Sequence, residues 1–545
     1  MTSRIDRREF VRRSAVTGAL AIARPAEAFD APLAPGAPDL ARAPAAFELD
    51  ETTIAQLQDA MSSGKYSARA ISEMYLARID EIDRREGGPM VNSVIEVNPD
   101  ALAIAEALDR ERKEKGARGP MHGVPLLIKD NIDTADRMKT SAGSLALADV
   151  VAPKDAFIVQ RLRAAGAVIL GKTNLSEWAN FRSTHSVSGW SGRGGQTRNP
   201  YMLDRNPCGS SSGTGASIAA NLAAVGVGTE TDGSVVCPSS ANGLVGIKPT
   251  VGLISRSGIV PISHTQDTAG TMARTVTDAA ILLGALAAVD PDDAATAPGR
   301  RKVRSDYREF LKADGLRGAR IGVARNYFGF NAQVDHVMDD AIAAMKGAGA
   351  IIVDPTDLAT KGKFDDAEFD VLLYEFKSDL NAYLARSNSR HRTLAALIEF
   401  NTQNRDREMP WFGQEIFAMA QKKGPLTDAA YRKALAKCRR LSRTDGIDAL
   451  ITKHRLDAFV APTGGPAWVT DVLNGDHFTG GSSTPAAVAG YASITVPAGF
   501  IHGLPVGISF VGDAWSEPTL IRLAYGYEQT TKMRQPPKFV PTFTP

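Results

Sequence analysis

The stretch CGSSSGTGASIAANLAAVGVGTETDGSVVCPSSANGLVGIKP, residues 208–249, indicates both the fold and the chemistry of this chain. It places Ser-rich and Gly-rich turns around one apolar run, residues 216–227. Glycine in such turns lets backbone N–H groups approach a ligand closely, and a cluster of these groups binds negative charge. The stretch is therefore a candidate site for stabilising an oxyanion. A serine nucleophile needs a base, and this stretch contains no histidine.

A second stretch, HGVPLLIKDNIDT at residues 122–134, contains a candidate base, Lys129. The apolar run at 124–128 predicts a buried strand that delivers this lysine at its end. Burial lowers the pKa of a lysine, and a neutral lysine can act as a general base. The alternative interpretation is an ordinary surface lysine at a strand end.

The runs GVPLLIKDNIDT, CGSSSGTG and GTETDGS together resemble the amidase signature family, and the resemblance extends from about residue 48 to 540. It implies an α/β fold with a single compact domain, in which helices flank a large mixed central sheet. It also implies a Ser–cis-Ser–Lys triad, with Lys129 as base, Ser210 as bridging serine after a cis peptide bond, and Ser234 as nucleophile. The backbone N–H groups that it implies for the oxyanion hole are those of Thr231, Asp232, Gly233 and Ser234.

Four further runs resemble the bacterial peptide amidases within that family. They lie at residues 172–183, 188–201, 372–377 and 514–518. The resemblance implies a serine amidohydrolase that cleaves the C-terminal amide of peptides and releases ammonia through a Ser acyl-enzyme. It implies no metal or other cofactor, and the eight histidines have no metal-ligand spacing.

Three other functions remain open at this point. The substrate could be another amide (aryl, aliphatic or cyclic oligoamide), since the triad would be identical. The chain could be the glutaminase subunit of a tRNA-dependent amidotransferase, or a non-catalytic binding protein that keeps the fold. Ammonia release from a peptide amide, compared with free glutamine, discriminates among them.

Two positions depart from the pattern of many family members. Asp232 stands where they have glycine, and Val236 stands where they often have arginine. Our hypothesis is that this site favours neutral carboxamides over free acids, because it lacks one cation that could hold a carboxylate. The alternative is that the Asp232 side chain only caps a turn.

Composition sets broad limits on partners. Hydrophobic content of 43% and charged content of 23% are ordinary for a soluble globular protein, and a net charge of +2 gives no electrostatic case for nucleic acid or an anionic membrane. Length alone favours about three or four domains, whereas the family resemblance implies one. Three cysteines give no disulfide framework, so we expect Cys208 and Cys237 to be small buried side chains.

The N-terminus resembles an export signal. Arg7 and Arg8 precede an apolar run at 15–23, and the Ala-Glu-Ala pattern ends at Ala28. Residues 1–28 are therefore predicted to be a twin-arginine signal peptide cleaved near Ala28, which would export the folded protein to the periplasm. The alternative is a disordered cytoplasmic tail. Residues 29–47 are predicted to be a flexible Ala/Pro-rich lead-in to the amidase domain, residues 48–545.

The rest of the chain alternates helices with short apolar strands, which predicts a mainly parallel or mixed sheet. Helices are predicted at 67–84, 100–115 and 155–166, and strands at 94–97, 124–128, 167–170, 222–227, 244–247, 319–323, 350–353, 458–461, 494–496 and 507–511. GAVILGKT at 166–173 matches a phosphate-loop pattern, but its middle residues are the predicted strand, so we reject a nucleotide site. Residues 287–317 are the expected linker or surface excursion, and the mostly helical region 318–445 is a possible cap over the site.

Some residues near the motifs have an open role. Ser211, Ser212 and Thr214 lie beside the predicted triad, and we expect them to make hydrogen bonds within the turn. The aromatic candidates for lining a substrate pocket are His185, Trp190, Tyr374, Trp468 and Trp515. The sequence leaves the oligomeric state undetermined.

Overall fold

The computed structural model describes residues 45–543. The predicted signal peptide (1–28) and residues 29–44 of the predicted lead-in lie outside the described residues. Within residues 45–543, no helix combines the length and the hydropathy that crossing a bilayer would require.

A large mixed sheet forms the centre of the fold, as predicted. Its strands and those of one small hairpin are β1 (Val94–Val97), β2 (Pro125–Lys129), β3 (Val168–Thr173), β4 (Trp190–Ser191), β5 (Gly195–Gln196), β6 (Val225–Glu230), β7 (Val245–Lys248), β8 (Thr268–Ala273), β9 (Arg320–Val323), β10 (Ile351–Val353), β11 (Ala458–Pro462), β12 (Ser493–Ile501) and β13 (Leu504–Val511). The 11-stranded sheet has the order β1-β3-β2-β6-β8-β7-β12-β13-β11-β9-β10, and β4 pairs with β5 separately.

Parallel and antiparallel pairs alternate across this sheet in blocks. β2 runs parallel to β3 and β6, and β9 runs parallel to β10 and β11. The pairs between these two blocks are antiparallel, and they are β6-β8, β8-β7, β7-β12 and β12-β13. Because β2 and β6 are parallel neighbours, with Ile128 opposite Val227, their carboxyl ends meet at one edge of the sheet.

Helices cover the sheet and extend from it. They are α1 (Ile54–Ser62), α2 (Ala68–Ile79), α3 (Ala101–Lys115), α4 (Phe157–Ala164), α5 (Ser212–Ala219), α6 (Val236–Ala241), α7 (Val276–Leu286), α8 (Ala332–Gly347), α9 (Asp365–Arg386), α10 (Leu394–Gln403), α11 (Arg405–Glu408), α12 (Glu415–Gln421), α13 (Ala429–Arg439), α14 (Asp448–His454), α15 (Thr484–Ala489) and α16 (Glu517–Thr531).

Local sequence signals set the ends of the first helices. The Ser67 hydroxyl accepts the N–H of Ala70 at 3.0 Å and caps α2, whose Ile71 and Tyr75 are buried. A π-helical turn, Asp80–Arg84, continues this helix to the predicted end. Gly116, at φ +82°, ends α3 where the sequence predicts it.

The phosphate-loop pattern is part of a buried strand, as predicted. Residues Val168–Thr173 form β3, and all of its residues are buried. Lys172 Nζ donates to the carbonyl of Ile132 at 2.8 Å and to Thr140 Oγ1 at 2.6 Å. Its amine is therefore engaged within the protein, and the N–H groups of the pattern belong to the sheet.

Some predicted elements differ from the structure. The strand expected at 222–227 begins at Val225, because α5 ends at Ala219 and a turn follows. β8 was not predicted, since its sequence TAGTMA lacks the branched apolar residues typical of a strand. In the expected surface segment 287–317, Thr296 and Tyr307 are buried, so parts of this segment pack against the fold.

Candidate functional site

Lys129 is the last residue of β2 and is completely buried, so it is not a surface lysine. Its Nζ lies 2.8 Å from Ser210 Oγ, 2.9 Å from Thr229 Oγ1 and 3.3 Å from the Thr229 carbonyl oxygen. Burial lowers the pKa of Lys129 to about 7, although the carboxyl groups of Asp267 and Glu230 oppose this shift. A substantial fraction of this amine is therefore neutral at neutral pH.

Ser210 follows a cis peptide bond, Gly209–Ser210. A Cβ on Gly209 would lie 2.2 Å from Ser176 Oγ, so only glycine fits here. The Ser210 carbonyl accepts the N–H of Ser176 at 3.1 Å. These contacts hold the turn before α5 against the segment that follows β3, with the Ser210 hydroxyl directed at Lys129.

Ser234 lies in the turn between β6 and α6. The N–H of Ser211 donates to the Ser234 carbonyl at 3.2 Å, which joins the two serine turns. Ser234 retains 8% exposure, whereas Lys129 and Ser210 have none. Of the three predicted triad residues, Ser234 is therefore the one that a ligand in solution can reach.

The loop around Gly233 presents free backbone donors. The Glu230 carboxylate accepts the N–H groups of Val235 at 2.7 Å and Val236 at 3.0 Å, which closes the loop. Gly233, at φ +78°, forms the bend that this closure requires. Among the hydrogen bonds of the described residues, none occupies the backbone N–H groups implied for the oxyanion hole, those of Thr231, Asp232, Gly233 and Ser234.

The Asp232 carboxylate bonds across the site rather than within its own turn. It accepts the hydroxyl of Ser483 at 2.5 Å and that of Thr484 at 2.7 Å, at the start of α15. Burial raises the pKa of Asp232, and these two hydroxyl donors limit the rise. Asp232 therefore ties its loop to the start of α15, and the hypothesis that it selects against carboxylates stays a prediction.

Cys208 and Cys237 form a disulfide, which corrects the expectation of two free buried cysteines. Their Cα atoms are 6.0 Å apart at a sequence separation of 29, and both Ser210 and Ser234 lie between them. Sequence spacing could not reveal this bond, because only the folded sheet brings the two serine turns together. Cys438 is the free, buried cysteine of the described residues.

The neighbouring hydroxyls make hydrogen bonds that support the turns, as expected. Ser211 Oγ donates to the Thr229 carbonyl at 3.0 Å, and Ser212 Oγ donates to the Cys208 carbonyl at 2.6 Å. Thr214 Oγ1 lies 2.7 Å from Thr173 Oγ1. These hydrogen bonds hold the backbone around the site. The three hydroxyl groups are therefore already paired within the protein.

A cleft of about 310 Å³ borders the residues that precede the two serines, Gly209 and Gly233. Trp468 lines this cleft, whereas His185, Trp190, Tyr374 and Trp515 do not. Trp190 packs on Phe412 and Tyr374 packs on Tyr431. Only one of the five aromatic candidates from the sequence therefore borders it.

A second cavity of about 240 Å³ borders residues 229–231, which come directly before Asp232 in the chain. Asn131, Thr229 and Thr231 line it, together with Asp379 and Tyr383 of α9. The helix α9 belongs to region 318–445, which the sequence predicts as a possible cap, and it supplies part of the wall of this cavity. The two cavities share no lining residue, and the boundary falls between Thr231 and Asp232.

Sequence reasoning missed several residues that organise the site. Thr229 contacts the Lys129 amine through two oxygens, and Asn131 Nδ2 donates to Thr229 Oγ1 at 3.0 Å. Both belong to motifs that the sequence singles out, GTETDGS and KDNIDT. Their position at the ends of adjacent parallel strands was the signal that could have identified them.

One group of possible metal ligands occurs among the described residues: His264, Glu375 and Asp379. The Glu375 carboxylate accepts hydroxyl groups from Tyr431, Ser263 and Thr265. His264 Nδ1 lies 2.8 Å from Asp379 Oδ2. These hydrogen bonds account for the cluster without an ion.

Known proteins resemble this chain along most of its length. The sequence profile of the amidase family matches residues 70–521. A probable amidase of Arabidopsis thaliana is 42% identical over 504 residues, which cover 91% of this chain and 93% of the plant protein. A glutamyl-tRNA(Gln) amidotransferase subunit from Acinetobacter baumannii is 33% identical, covering 89% of this chain and 97% of its own length. The crystal structure of the native peptide amidase of Stenotrophomonas maltophilia is 52% identical, covers 91% of this chain and 100% of its own, and superposes with a TM-score of 0.86.

Proposed function

The chain belongs to the amidase signature family and is an amidohydrolase, and on that premise we propose that it cleaves the C-terminal carboxamide of peptides through a Ser234 acyl-enzyme. The observation that carries the mechanism is the buried Lys129 amine, 2.8 Å from Ser210 Oγ, with its pKa lowered to about 7.

The reaction begins with a proton relay. Neutral Lys129 takes the proton of Ser210, Ser210 takes the proton of Ser234, and Ser234 Oγ attacks the amide carbonyl carbon. The carbonyl oxygen becomes an oxyanion that accepts hydrogen bonds from the free N–H groups of the loop around Gly233. One such donor typically contributes about 3–4 kcal/mol to the transition state.

Collapse of this intermediate releases the nitrogen. The relay runs backwards and delivers a proton to the leaving amide nitrogen, so the C–N bond breaks and ammonia departs. The acyl group then remains esterified to Ser234. Water attacks the ester while Ser210 and Lys129 accept its proton, and the relay then returns that proton to Ser234 Oγ, so the bond from the acyl carbon to Oγ breaks and the carboxylic acid leaves.

A peptide amide is the substrate class that we propose. It is supported by 52% identity to a peptide amidase over nearly the whole chain. The cleft beside Gly233 supports it too, since no Lys, Arg or His lines it among the described residues. A neutral carboxamide needs no cation there, whereas a carboxylate would.

The test is ammonia release from a dipeptide amide and, in parallel, from free glutamine. We expect ammonia only from the dipeptide amide, and none when Ser234 is changed to alanine. Ser63→Ala, at an exposed serine, is the matched control. Ammonia from glutamine alone would favour the glutaminase function, and ammonia from neither substrate would favour a binding protein.

Export to the periplasm is the proposed localisation. The Arg7-Arg8 pattern and the small-residue pattern ending at Ala28 support it. The Cys208–Cys237 disulfide is independent support, because structural disulfides persist in oxidising compartments. Fractionation of cells that express the wild type and an Arg7→Lys, Arg8→Lys variant tests this, and periplasmic activity of both would contradict the twin-arginine route.

A further inference from the structure

Asp267 and Thr231 face each other at the ends of two antiparallel strands. Glu230, the last residue of β6, pairs with Thr268, the first residue of β8. Because Thr231 follows β6 and Asp267 precedes β8, the antiparallel register brings these two residues together. Asp267 Oδ1 accepts the Thr231 hydroxyl at 2.6 Å. The start of the loop around Gly233 is therefore held from the neighbouring strand.

The second oxygen of this carboxylate is bound to a different segment. Asp267 Oδ2 accepts the N–H groups of Ile262 and Ser263, both at 2.8 Å. Residues 258–262 form one wall of the cavity of about 240 Å³, which Thr231 and Asp267 also line. One carboxylate therefore ties the start of the loop around Gly233 to the wall of this cavity.

Gln266 holds the main chain of Thr231. Its Nε2 donates to the Thr231 carbonyl at 3.4 Å and to Glu368 Oε1 of α9 at 2.9 Å. The peptide bond after Thr231 is trans, and in a trans peptide the carbonyl and the following N–H point in opposite directions. Because the Thr231 carbonyl is turned toward Gln266, the N–H of Asp232 is turned away from it. Among the hydrogen bonds of the described residues, Thr231 is thus bound by its hydroxyl and its carbonyl, and its N–H is left free.

The Asp267 carboxylate is held by neutral donors. No salt bridge to it occurs within the part of the chain that the structure describes, and Arg256, which lines the same cavity, is paired with Asp293 at 2.6 Å. Burial raises the pKa of Asp267 to about 6, and its three hydrogen-bond donors limit the rise. The carboxylate is therefore ionised at the pH at which Lys129 becomes neutral, and both of its oxygens accept these bonds.

We propose that Asp267 is a positioning residue for the reaction: it holds Thr231 so that the first N–H groups of the loop around Gly233 point at the oxygen of the reacting carbonyl. This inference rests on the proposed function, because the oxyanion exists only during acyl transfer to and from Ser234. Donors that are fixed before the reaction stabilise the developing charge without reorganising. They bind the oxyanion more strongly than the ground-state carbonyl oxygen, so a loss of positioning should lower kcat and leave KM nearly unchanged.

The first test separates kcat from KM with a dipeptide amide as substrate. Asp267→Ala removes the carboxylate, and Thr231→Val removes only the hydroxyl that the carboxylate accepts. We expect kcat to fall about ten- to hundredfold in Asp267→Ala and about tenfold in Thr231→Val, with KM within about twofold of the wild type.

Conservative variants and a matched control complete this test. Thr231→Ser keeps the hydroxyl, and Asp267→Asn keeps a side chain that can bond to Thr231 and to residues 262–263, so both should recover kcat to within about threefold of the wild type. The control is Asp278→Ala in α7, at a buried aspartate whose pKa is also raised to about 6 and which borders neither cavity. We expect it to lower the unfolding temperature and to leave kcat unchanged.

A dipeptide aldehyde tests the same positioning without turnover. Ser234 Oγ adds to the aldehyde carbon, the Ser234 proton passes through Ser210 to Lys129, and the aldehyde oxygen becomes an alkoxide in the oxyanion hole. We expect the dissociation constant of the aldehyde, measured by calorimetry, to rise in Asp267→Ala by the factor by which kcat falls. The matching dipeptide alcohol, which cannot form this adduct, should bind the variant and the wild type equally.

The outcomes separate this inference from the proposed function. Unchanged kcat in Thr231→Val, or equal weakening of the aldehyde and the alcohol in that variant, would overturn the inference even if the wild type releases ammonia, and this holds if Asp267→Ala does not fold. Aldehyde binding that depends on Asp267, without ammonia release from the dipeptide amide by the wild type, would overturn the proposed function and support the positioning role.

Discussion

Thr229 contacts the Lys129 amine through two oxygens, with Oγ1 at 2.9 Å and the carbonyl oxygen at 3.3 Å. A neutral amine has two N–H bonds and one lone pair. When both N–H bonds point at Thr229, the lone pair faces the third neighbour, Ser210 Oγ at 2.8 Å. Thr229 therefore directs the lone pair of Lys129 toward Ser210, as the proposed role of Lys129 as base requires, and Asn131 holds Thr229 through Oγ1.

The activity should depend on the neutral form of Lys129. Because burial lowers its pKa to about 7, kcat/KM should rise as pH increases through about 7 and then level off. Ammonia release measured between pH 5 and 10 checks this. Lys129→Arg, which stays protonated throughout, should lower kcat at least a hundredfold. Constant activity down to pH 5 would exclude Lys129 as the base.

The same burial links Lys129 to stability. Its folded pKa of about 7 lies below the usual 10.5, so between these values the unfolded state binds more protons than the native state. Burial of Lys129 therefore destabilises the native state increasingly as pH falls from 10.5 toward 7. Lys129→Met lacks this titration, so its unfolding temperature should rise relative to that of the wild type between pH 10 and pH 7.

Thr229→Val should weaken the orientation of the base. We expect kcat to fall about tenfold, because the amine loses the Oγ1 acceptor and the lone pair is less well directed at Ser210. The midpoint of the pH profile should also move to lower pH, since that acceptor favours the charged amine. Thr229→Ser retains the hydroxyl and should recover most of the activity. If the midpoint of the pH profile is the same in Thr229→Val and in the wild type, Thr229 contributes only to packing.

The catalytic motifs and most strands could be predicted because they are local. GVPLLIKDNIDT predicts a buried strand with Lys129 at its end, and the helix predicted at 100–115 matches α3, Ala101–Lys115. Contacts between distant segments could not be predicted in this way. Thr229 meets Lys129 across 100 positions, and Asp232 meets Ser483 across 251. Such contacts follow from strand order in the sheet, which periodicity does not specify.

The Cys208–Cys237 disulfide should stabilise both the fold and the serine turns. Closing a loop of 29 positions contributes about 3–4 kcal/mol by chain entropy. We expect Cys208→Ser with Cys237→Ser to lower the unfolding temperature and to reduce kcat, because the bond ties the turns of Ser210 and Ser234. Cys438→Ala, at the free cysteine, is the control for thiol removal. A reducing agent should lower the unfolding temperature of the wild type toward that of the double variant and leave the unfolding temperature of the double variant unchanged.

Asp232 should discriminate between the amide substrate and the acid product. Its carboxylate lies in the loop that precedes Ser234, and Val236 stands where an arginine could have neutralised it. Asp232→Asn keeps a side chain that can bond to Ser483 and Thr484 but removes the charge. The product carboxylate should then inhibit about fivefold more strongly, which corresponds to about 1 kcal/mol of removed repulsion.

The measurement is the inhibition constant of the free-acid product at low ionic strength, compared with KM for the amide. KM should change little, because a neutral amide gains nothing from the loss of a like charge. Asp314→Asn, at an exposed aspartate, controls for the change in net charge. If the product inhibits the wild type and Asp232→Asn equally, Asp232 does not select against acids. Its bonds to Ser483 and Thr484 would then serve only to hold the loop.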